Sequence, residues 1–146
     1  MSKIKIAIAD DNRDLVKMME AYFENHDSIE VMFTASNGKV CIKMLEQYRP
    51  DVLLLDIIMP HLDGMGVLEA MYNDEKLADI PVIMLTAFGQ DDVMKMAVNY
   101  GASYFMLKPF EFEQLVQKIN HVAGAKVDSE KRKSILQPTP NKKMDQ

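Results

Sequence analysis

The sequence predicts an α/β fold in which a doubly wound parallel sheet carries helices on both of its faces. Two observations predict it. Short apolar and β-branched runs alternate five times with segments whose apolar residues recur at helical spacing. The third and fourth runs are apolar almost throughout, which is typical of central strands that are buried on both sides.

The first two βα units follow from residue type and spacing. The β-branched run 3–10 precedes the segment 12–25, whose apolar residues form the stripe of an amphipathic helix. The second strand is predicted at 29–35 and the second helix at 37–48. Asn37 can cap that helix, because its side-chain oxygen can accept hydrogen bonds from unpaired main-chain N–H groups.

The last three βα units repeat this pattern. Gly101 is expected to end the fourth helix, because glycine adopts the left-handed conformation that follows many helices. The strands of these units are predicted at 51–56, 79–87 and 103–107, and the helices at 65–73, 90–100 and 111–123.

Two regions of different composition divide the chain. Residues 1–123 carry 11 basic and 19 acidic side chains, and they are expected to form one domain. Residues 124–146 carry 6 basic and 3 acidic side chains, two prolines and no lasting periodicity, so we expect a flexible linker there. A linker of this kind usually leads to a further domain, which would lie beyond this sequence.

Composition also excludes several classes of function. The acidic body is a poor nucleic-acid binder by itself. No apolar run approaches the roughly 20 residues of a membrane helix, and the start of the chain does not resemble a signal peptide. Cys41 is the single cysteine, so an internal disulfide is excluded and a reducing, cytoplasmic location is expected.

Polar side chains follow four of the predicted strands where each strand ends. Asp10 and Asp11 follow the first strand, Asp56 ends the third, Thr86 lies at the end of the fourth, and Lys108 follows the fifth. Ligands of open parallel sheets bind at the carboxyl ends of the strands. If these strands are neighbours, the five side chains converge on one crevice.

Three converging carboxylates predict a cation site and a chemistry. Their mutual repulsion should raise the pKa values of the carboxyl groups, and a divalent ion with oxygen ligands would remove that repulsion. Mg²⁺ fits best, with Mn²⁺ or Ca²⁺ as substitutes. A main-chain oxygen near Ile58 could be a further ligand. Asp56 can then act as a nucleophile and form an aspartyl phosphate. Lys108 would stabilise the transferring oxygens, and the Thr86 hydroxyl could donate to one afterwards.

Other interpretations of these residues are less specific. Each residue alone could be a turn, a helix cap or a solvated charge. A phosphatase of the haloacid-dehalogenase type would need a second aspartate two residues after Asp56, where this chain has Ile58. The acidic first loop argues against flavin mononucleotide, since phosphate would meet carboxylates rather than main-chain amides. An interaction module on the same scaffold that is never phosphorylated remains an alternative.

Four segments together resemble a known family, the receiver domains of two-component response regulators. They are the Asp–Asp pair after the first strand, DIIMPHLDG, LTA and LKPF, and the resemblance covers about residues 3–123. It implies a flavodoxin-like (βα)5 fold with strand order 2-1-3-4-5. Within the family, the sequence of these segments is most similar to the receiver of a sporulation regulator of endospore-forming bacteria.

The resemblance also implies a role for each site residue. Asp56 would be phosphorylated, Lys108 would contact the phosphoryl group, and the bond before Pro109 would be cis. The implied Mg²⁺ ligands are Asp10, Asp11, Asp56 and the main-chain oxygen of Ile58. The implied switch pair is Thr86 and Phe105, with Phe105 at a position where many family members have tyrosine.

A signalling role without enzymatic turnover follows from the resemblance, beyond assistance to the domain's own phosphorylation and slow dephosphorylation. The phosphoryl donor would be a histidine kinase or a histidine phosphotransferase. Phosphorylation would draw Thr86 inward, let Phe105 turn, and repack the face formed by helix 4, strand 5 and helix 5. The repacked face would then favour a homodimer or release the C-terminal domain beyond the linker, and DNA would be bound only through that domain.

Overall fold

Five strands alternate with five helices in the computed structural model, which describes residues 2–87 and 91–136, with side chains described as far as residue 125. The strands are β1 (Ile4–Ala9), β2 (Ile29–Ala35), β3 (Val52–Asp56), β4 (Val82–Thr86) and β5 (Tyr104–Leu107). The helices are α1 (Arg13–Glu24), α2 (Gly38–Gln47), α3 (Gly64–Tyr72), α4 (Asp91–Asn99) and α5 (Phe112–Leu136).

All the strand pairs are parallel, and the strand order is 2-1-3-4-5. The predicted fold class and strand order are therefore confirmed. Every residue of β3 and β4 is buried, as their continuous apolar runs predicted. The order places β1 beside β3, so the carboxyl ends of β1, β3, β4 and β5 form one continuous edge.

Two hydrophobic cores lie on opposite faces of the sheet, because side chains alternate along each strand. Leu53 and Leu55 pack with Met84 in the core under α2, α3 and α4. Leu54 and Ile83 pack in the core under α1 and α5. Both faces are thus covered by helices, and only the strand ends are left for polar side chains.

Side-chain caps fix the starts of the first three helices. Asn12 accepts a hydrogen bond from the Leu15 N–H, and Asp63 caps α3 in the same way. Asn37 accepts one from the Val40 N–H at 2.9 Å, so its predicted capping role is confirmed. Two of these capped helix starts directly follow site loops, so the caps also restrict where those loops run.

The predicted end of the fifth helix was wrong. We expected a helix to residue 123 and a linker from 124, but α5 continues to Leu136. Gly124 costs a helix only about 1 kcal/mol relative to alanine, and the Lys, Glu, Arg and Ala residues that follow favour helix. The rest of the predicted linker, 137–146, lies outside the described residues.

The fourth strand begins three residues later than predicted. Ile80 and Pro81 belong to the turn before β4, where the Ile80 N–H donates to the Leu77 oxygen. Pro81 has no N–H with which to join the hydrogen-bond ladder of the sheet.

No helix within the described part of the chain is long and apolar enough to cross a membrane.

Candidate functional site

The carboxyl edge of the sheet brings one ammonium group between two carboxylates. Asp10 directly follows β1, Asp56 ends β3 and Lys108 directly follows β5. Lys108 Nζ lies 2.8 Å from Asp10 Oδ2 and 3.4 Å from Asp56 Oδ1. Residues from three strands that are far apart in sequence thus form one charged cluster, as the strand-end pattern predicted.

Asp10 is the most buried member of this cluster, with 2% of its surface exposed. Its Oδ1 accepts a hydrogen bond from the Asn12 N–H at 2.9 Å. Its Oδ2 is buried and accepts no hydrogen bond from the described residues, although it is ion-paired with Lys108. Among the described residues this oxygen is paired with the Lys108 ammonium alone, so its second lone pair is available to a metal cation.

Asp11 completes a group of three carboxylates. One oxygen each from Asp10, Asp11 and Asp56 lies within 4.8 Å of the others. Asp11 is exposed, so the group opens to solvent on one side. Hard divalent cations such as Mg²⁺ prefer oxygen ligands and keep several waters. Three carboxylates open to solvent on one side fit an ion of that kind.

Asp56 is electrostatically disfavoured as an anion. Its pKa is raised from 3.8 to about 6, mainly because the carboxyl is buried and also because the charge of Asp10 is close. Lys108 opposes the shift and Asp11 adds to it. Neutral pH still leaves Asp56 ionised, but at a cost in free energy that a bound cation would relieve.

The loop that follows Asp56 is closed by main-chain contacts. The Gly64 N–H donates to the Ile57 oxygen at 2.7 Å, and a Cβ atom at Gly64 would collide with the Asp56 oxygen. Ile58 lies in this loop with a side chain that is 62% exposed. Gly64 and the cap Asp63 are not among the predicted site residues, although the Asp–Gly pair is a turn signal in the sequence.

Thr86 and Phe105 lie on the same face of the sheet. Phe105 is paired with Met84 and Leu107 with Thr86, so side-chain alternation places both predicted switch residues on the α4 side. Thr86 is buried, and its main-chain oxygen accepts the Lys108 N–H at 2.8 Å. Phe105 is half-buried beside Met94 and Val98 of α4, at a shallow cleft of about 400 Å³.

A larger groove opens next to Lys108. It has a volume of about 820 Å³ and runs between α1 and the β5–α5 loop. Its apolar lining comes from Leu15, Met18, Tyr22, Pro109, Phe110 and Phe112, and its rim carries Asp14, Glu111 and Glu113. The Lys108–Pro109 bond at its base is cis, as the resemblance implied.

Comparison with known proteins agrees with this geometry. The family model described as response regulator receiver domain matches residues 6–120. The chain belongs to the response regulator receiver domain family. Domains of this family are signalling domains that bind Mg²⁺ through an acidic pocket and interact with histidine kinases as phosphoryl donors.

Several solved structures resemble this receiver domain closely. A DNA-binding response regulator of the LuxR family from Staphylococcus aureus is 32% identical, with a TM-score of 0.76 over 82% of this chain and 98% of that one. The phosphorylated cyanobacterial phytochrome response regulator RcpA is 26% identical, with a TM-score of 0.70 over 83% and 91%. The receiver domain of the Francisella response regulator 1452 is 24% identical, with a TM-score of 0.76 over 84% and 98%.

Proposed function

We propose that this receiver domain is phosphorylated on Asp56 by a histidine kinase or a histidine phosphotransferase and acts as a switch, without enzymatic turnover. The observation that carries the proposal is the position of Lys108 Nζ between Asp10 Oδ2 and Asp56 Oδ1. A buried nucleophilic carboxylate beside a cation, at the solvent-open edge of a sheet, suits phosphoryl transfer.

The transfer forms one bond and breaks another. An Asp56 carboxylate oxygen attacks the phosphorus of a phosphohistidine, the P–N bond breaks, and the imidazole leaves and takes up a proton. Lys108 stabilises the negative charge on the phosphoryl oxygens, because its ammonium lies 3.4 Å from the nucleophilic carboxylate. Ile58 occupies the position of a phosphatase's second aspartate, so the acyl phosphate persists as a signal.

Asp10, Asp11 and Asp56, with the Ile58 main-chain oxygen, would hold Mg²⁺. The fit is supported by the burial of Asp10 Oδ2, which among the described residues is paired with the Lys108 ammonium alone, and by the all-oxygen character of the group. When bound, the ion neutralises carboxylate charge that would otherwise repel an incoming phosphoryl group. Mn²⁺ or Ca²⁺ offers the same ligand chemistry, so either would serve as a substitute in vitro.

The switch would run from Thr86 to the α4–β5–α5 face. A phosphoryl group on Asp56 offers acceptor oxygens, and the Thr86 hydroxyl moves to donate to one of them. Phe105 lies on the neighbouring strand, two residues before the partner of Thr86 and on the same face of the sheet. It then turns toward the space that Thr86 leaves. The half-buried position of Phe105 beside α4 supports this step, because the ring borders a cleft of about 400 Å³ on one side and the core on the other.

The phosphoryl donor would dock in the groove between α1 and the β5–α5 loop. The groove lies beside Lys108 and presents apolar side chains such as Met18, which is 58% exposed. We also expect Phe88, which follows β4 in the sequence, at this docking face, but it lies outside the described residues. Charge reversal at Arg13 on the adjoining helix end should slow transfer from the donor but leave small-molecule phosphorylation unchanged.

The output would be dimerisation through the α4–β5–α5 face and transcription control by a C-terminal DNA-binding domain. The Staphylococcus aureus relative, which is named a DNA-binding response regulator, supports that output. The sequence of segments such as LLLDIIMPHLDG resembles that of the receiver of the stage 0 sporulation protein A. This resemblance supports sporulation initiation as the process and the cytoplasm as the location.

Intact mass spectrometry tests the proposal. The protein is incubated with acetyl phosphate and Mg²⁺, beside Asp56→Asn and a metal-free sample. We expect one phosphoryl adduct that requires both the ion and Asp56. No adduct with acetyl phosphate or with a phosphorylated histidine phosphotransferase would contradict the proposal and favour an interaction module that is never phosphorylated.

A further inference from the structure

The first residue of α2 touches the loop that follows Asp56. Gly38 is buried against Leu62, in the loop between β3 and α3. A Cβ atom at Gly38 would lie 2.7 Å from the Leu62 carbonyl carbon and closer still to its oxygen. Real Cβ atoms essentially never approach within 3.0 Å, and main-chain atoms cannot rotate away as a side-chain tip can. Because Gly38 has no side chain, the main chain of Leu62 can occupy the space next to the start of α2.

The loop has little freedom to absorb a displacement. Its base is closed by the hydrogen bond from the Gly64 N–H to the Ile57 oxygen. In its second half, the Leu62 N–H donates to the Pro60 oxygen at 2.8 Å around His61, which has a positive φ of 68°. A three-residue turn with a positive φ is strained for any residue except glycine. A push on Leu62 is therefore passed along the main chain.

The start of α2 is also held in place, by a side-chain cap and by a buried residue. Asn37 caps the helix through the Val40 N–H, and Cys41, one turn further, is fully buried in the core. The burial raises the pKa of the Cys41 thiol to about 12, which agrees with a purely packing role. Because these two contacts hold the start of α2, we expect a side chain at position 38 to displace the loop.

We propose that Gly38 is a positioning residue for the cation and phosphoryl site, acting through Leu62 on the loop from Ile57 to Asp63. This inference rests on the proposed function, in which the Ile58 main-chain oxygen is a ligand of the ion. Helix α2 contributes no side chain to the acidic group, yet it sets where the loop next to Asp56 runs.

Two alanine substitutions separate this role from general destabilisation. Gly38→Ala meets Leu62 at its main chain, whereas Gly66→Ala meets the same residue at its flexible tip, with Leu62 Cδ1 2.5 Å from the added atom. Leu62 can move that tip without moving the loop. Gly66→Ala is therefore the matched control.

The measurement is a Mg²⁺ titration followed by ¹⁵N–¹H NMR, at a temperature where each protein is folded. For Gly38→Ala we expect Mg²⁺ affinity to fall about 10- to 100-fold, the usual effect of losing outer support for metal ligands. The amide signals of residues 57–63 should also shift before any ion is added. For Gly66→Ala we expect an affinity within about twofold of the wild type, since only a side-chain tip moves.

Gly38→Ala with wild-type affinity and unshifted loop signals would overturn the inference, and so would an equal loss in both variants. If Gly38→Ala does not fold, Asn37→Ala provides the test, because it keeps the glycine and loosens the helix end. A folded Asn37→Ala protein should bind Mg²⁺ several-fold more weakly, and unchanged binding would again overturn the inference. Failure of the wild type to bind Mg²⁺ or accept phosphate would instead contradict the proposed function.

Discussion

The two ends of the sheet use the same kind of ion pair for opposite purposes. At the amino ends, Arg49 donates to Asp79 and to the Lys76 oxygen, and the Arg49 and Asp79 side chains are 45% and 62% exposed. At the carboxyl ends, Lys108 is paired with Asp10, and the exposed fractions are 19% and 0%. The first pair joins two loops in water, and the second is almost dry.

Burial decides what each pair contributes. An exposed pair is worth about 0 to 1 kcal/mol, because solvent screens it and both side chains are ordered at an entropic cost. A buried pair carries a desolvation penalty that the mutual attraction does not always repay. At the carboxyl edge the penalty is visible as the pKa of Asp56, which burial raises despite the nearby ammonium. This end of the sheet gives up stability for reactivity.

The largest expected effect comes from removing the buried ammonium. Lys108→Met should slow phosphorylation by acetyl phosphate about 100- to 1,000-fold, since one donor that stabilises transferred charge is worth that much. A time course of intact mass at fixed Mg²⁺ measures it. Arg49→Met, at the opposite end, is the control and should keep the wild-type rate. Equal rates in both variants would show that the buried pair has no special role.

A smaller effect is expected in the pH dependence of stability without metal. The folded protein holds the Asp56 proton up to about pH 6, whereas the unfolded chain releases it near 3.8. Stability from this group is therefore present below pH 3.8 and lost as the pH rises through 6. Asp56→Asn removes that loss, so its advantage over the wild type should grow by about 2 to 3 kcal/mol between pH 4 and pH 7.5.

Urea unfolding of both proteins at each pH measures this difference. Saturating Mg²⁺ should reduce the difference, because a cation stabilises the ionised carboxylate that the asparagine lacks. A difference between the two proteins that stays constant with pH would mean that Asp56 is an ordinary carboxylate and that the two ends of the sheet do not differ in this respect.

The smallest effect belongs to the exposed pair. Arg49→Met should lower the free energy of unfolding by no more than about 1 kcal/mol, and 0.5 M NaCl should reduce the loss further by screening. Urea unfolding at low and high salt measures this directly. A loss well above that size, insensitive to salt, would mean that Arg49 acts through its contact with the Lys76 oxygen rather than through charge.

The fold and the charged cluster could be predicted because their signals are local. An apolar run that stops on Asp56 shows a buried strand and its polar end together, and parallel topology then brings such ends to one edge. Five βα repeats sufficed for the sheet, and the family resemblance supplied its strand order, which the structure confirms.

The remaining features depend on distances that no local pattern records. The contact of Gly38 with Leu62 joins two segments that are 24 positions apart through main-chain atoms. The contact therefore could not be predicted from the type of either residue. The end of α5 was missed for the opposite reason: the polar composition and the loss of apolar periodicity after residue 123 predicted a linker, but the helix-forming residues on both sides of Gly124 outweigh one glycine.

That longer helix acts as a lever arm. At 1.5 Å per residue, the 25 residues of α5 span about 37 Å. Phe112, at its start, is four positions from the lysine that pairs with Asp10 and Asp56. A tilt of about 5° at that start, for a rod of this length, carries the far end about 3 Å sideways. A rotation of that size at the start of α5 would therefore displace the main chain at Leu136 by about the length of a hydrogen bond.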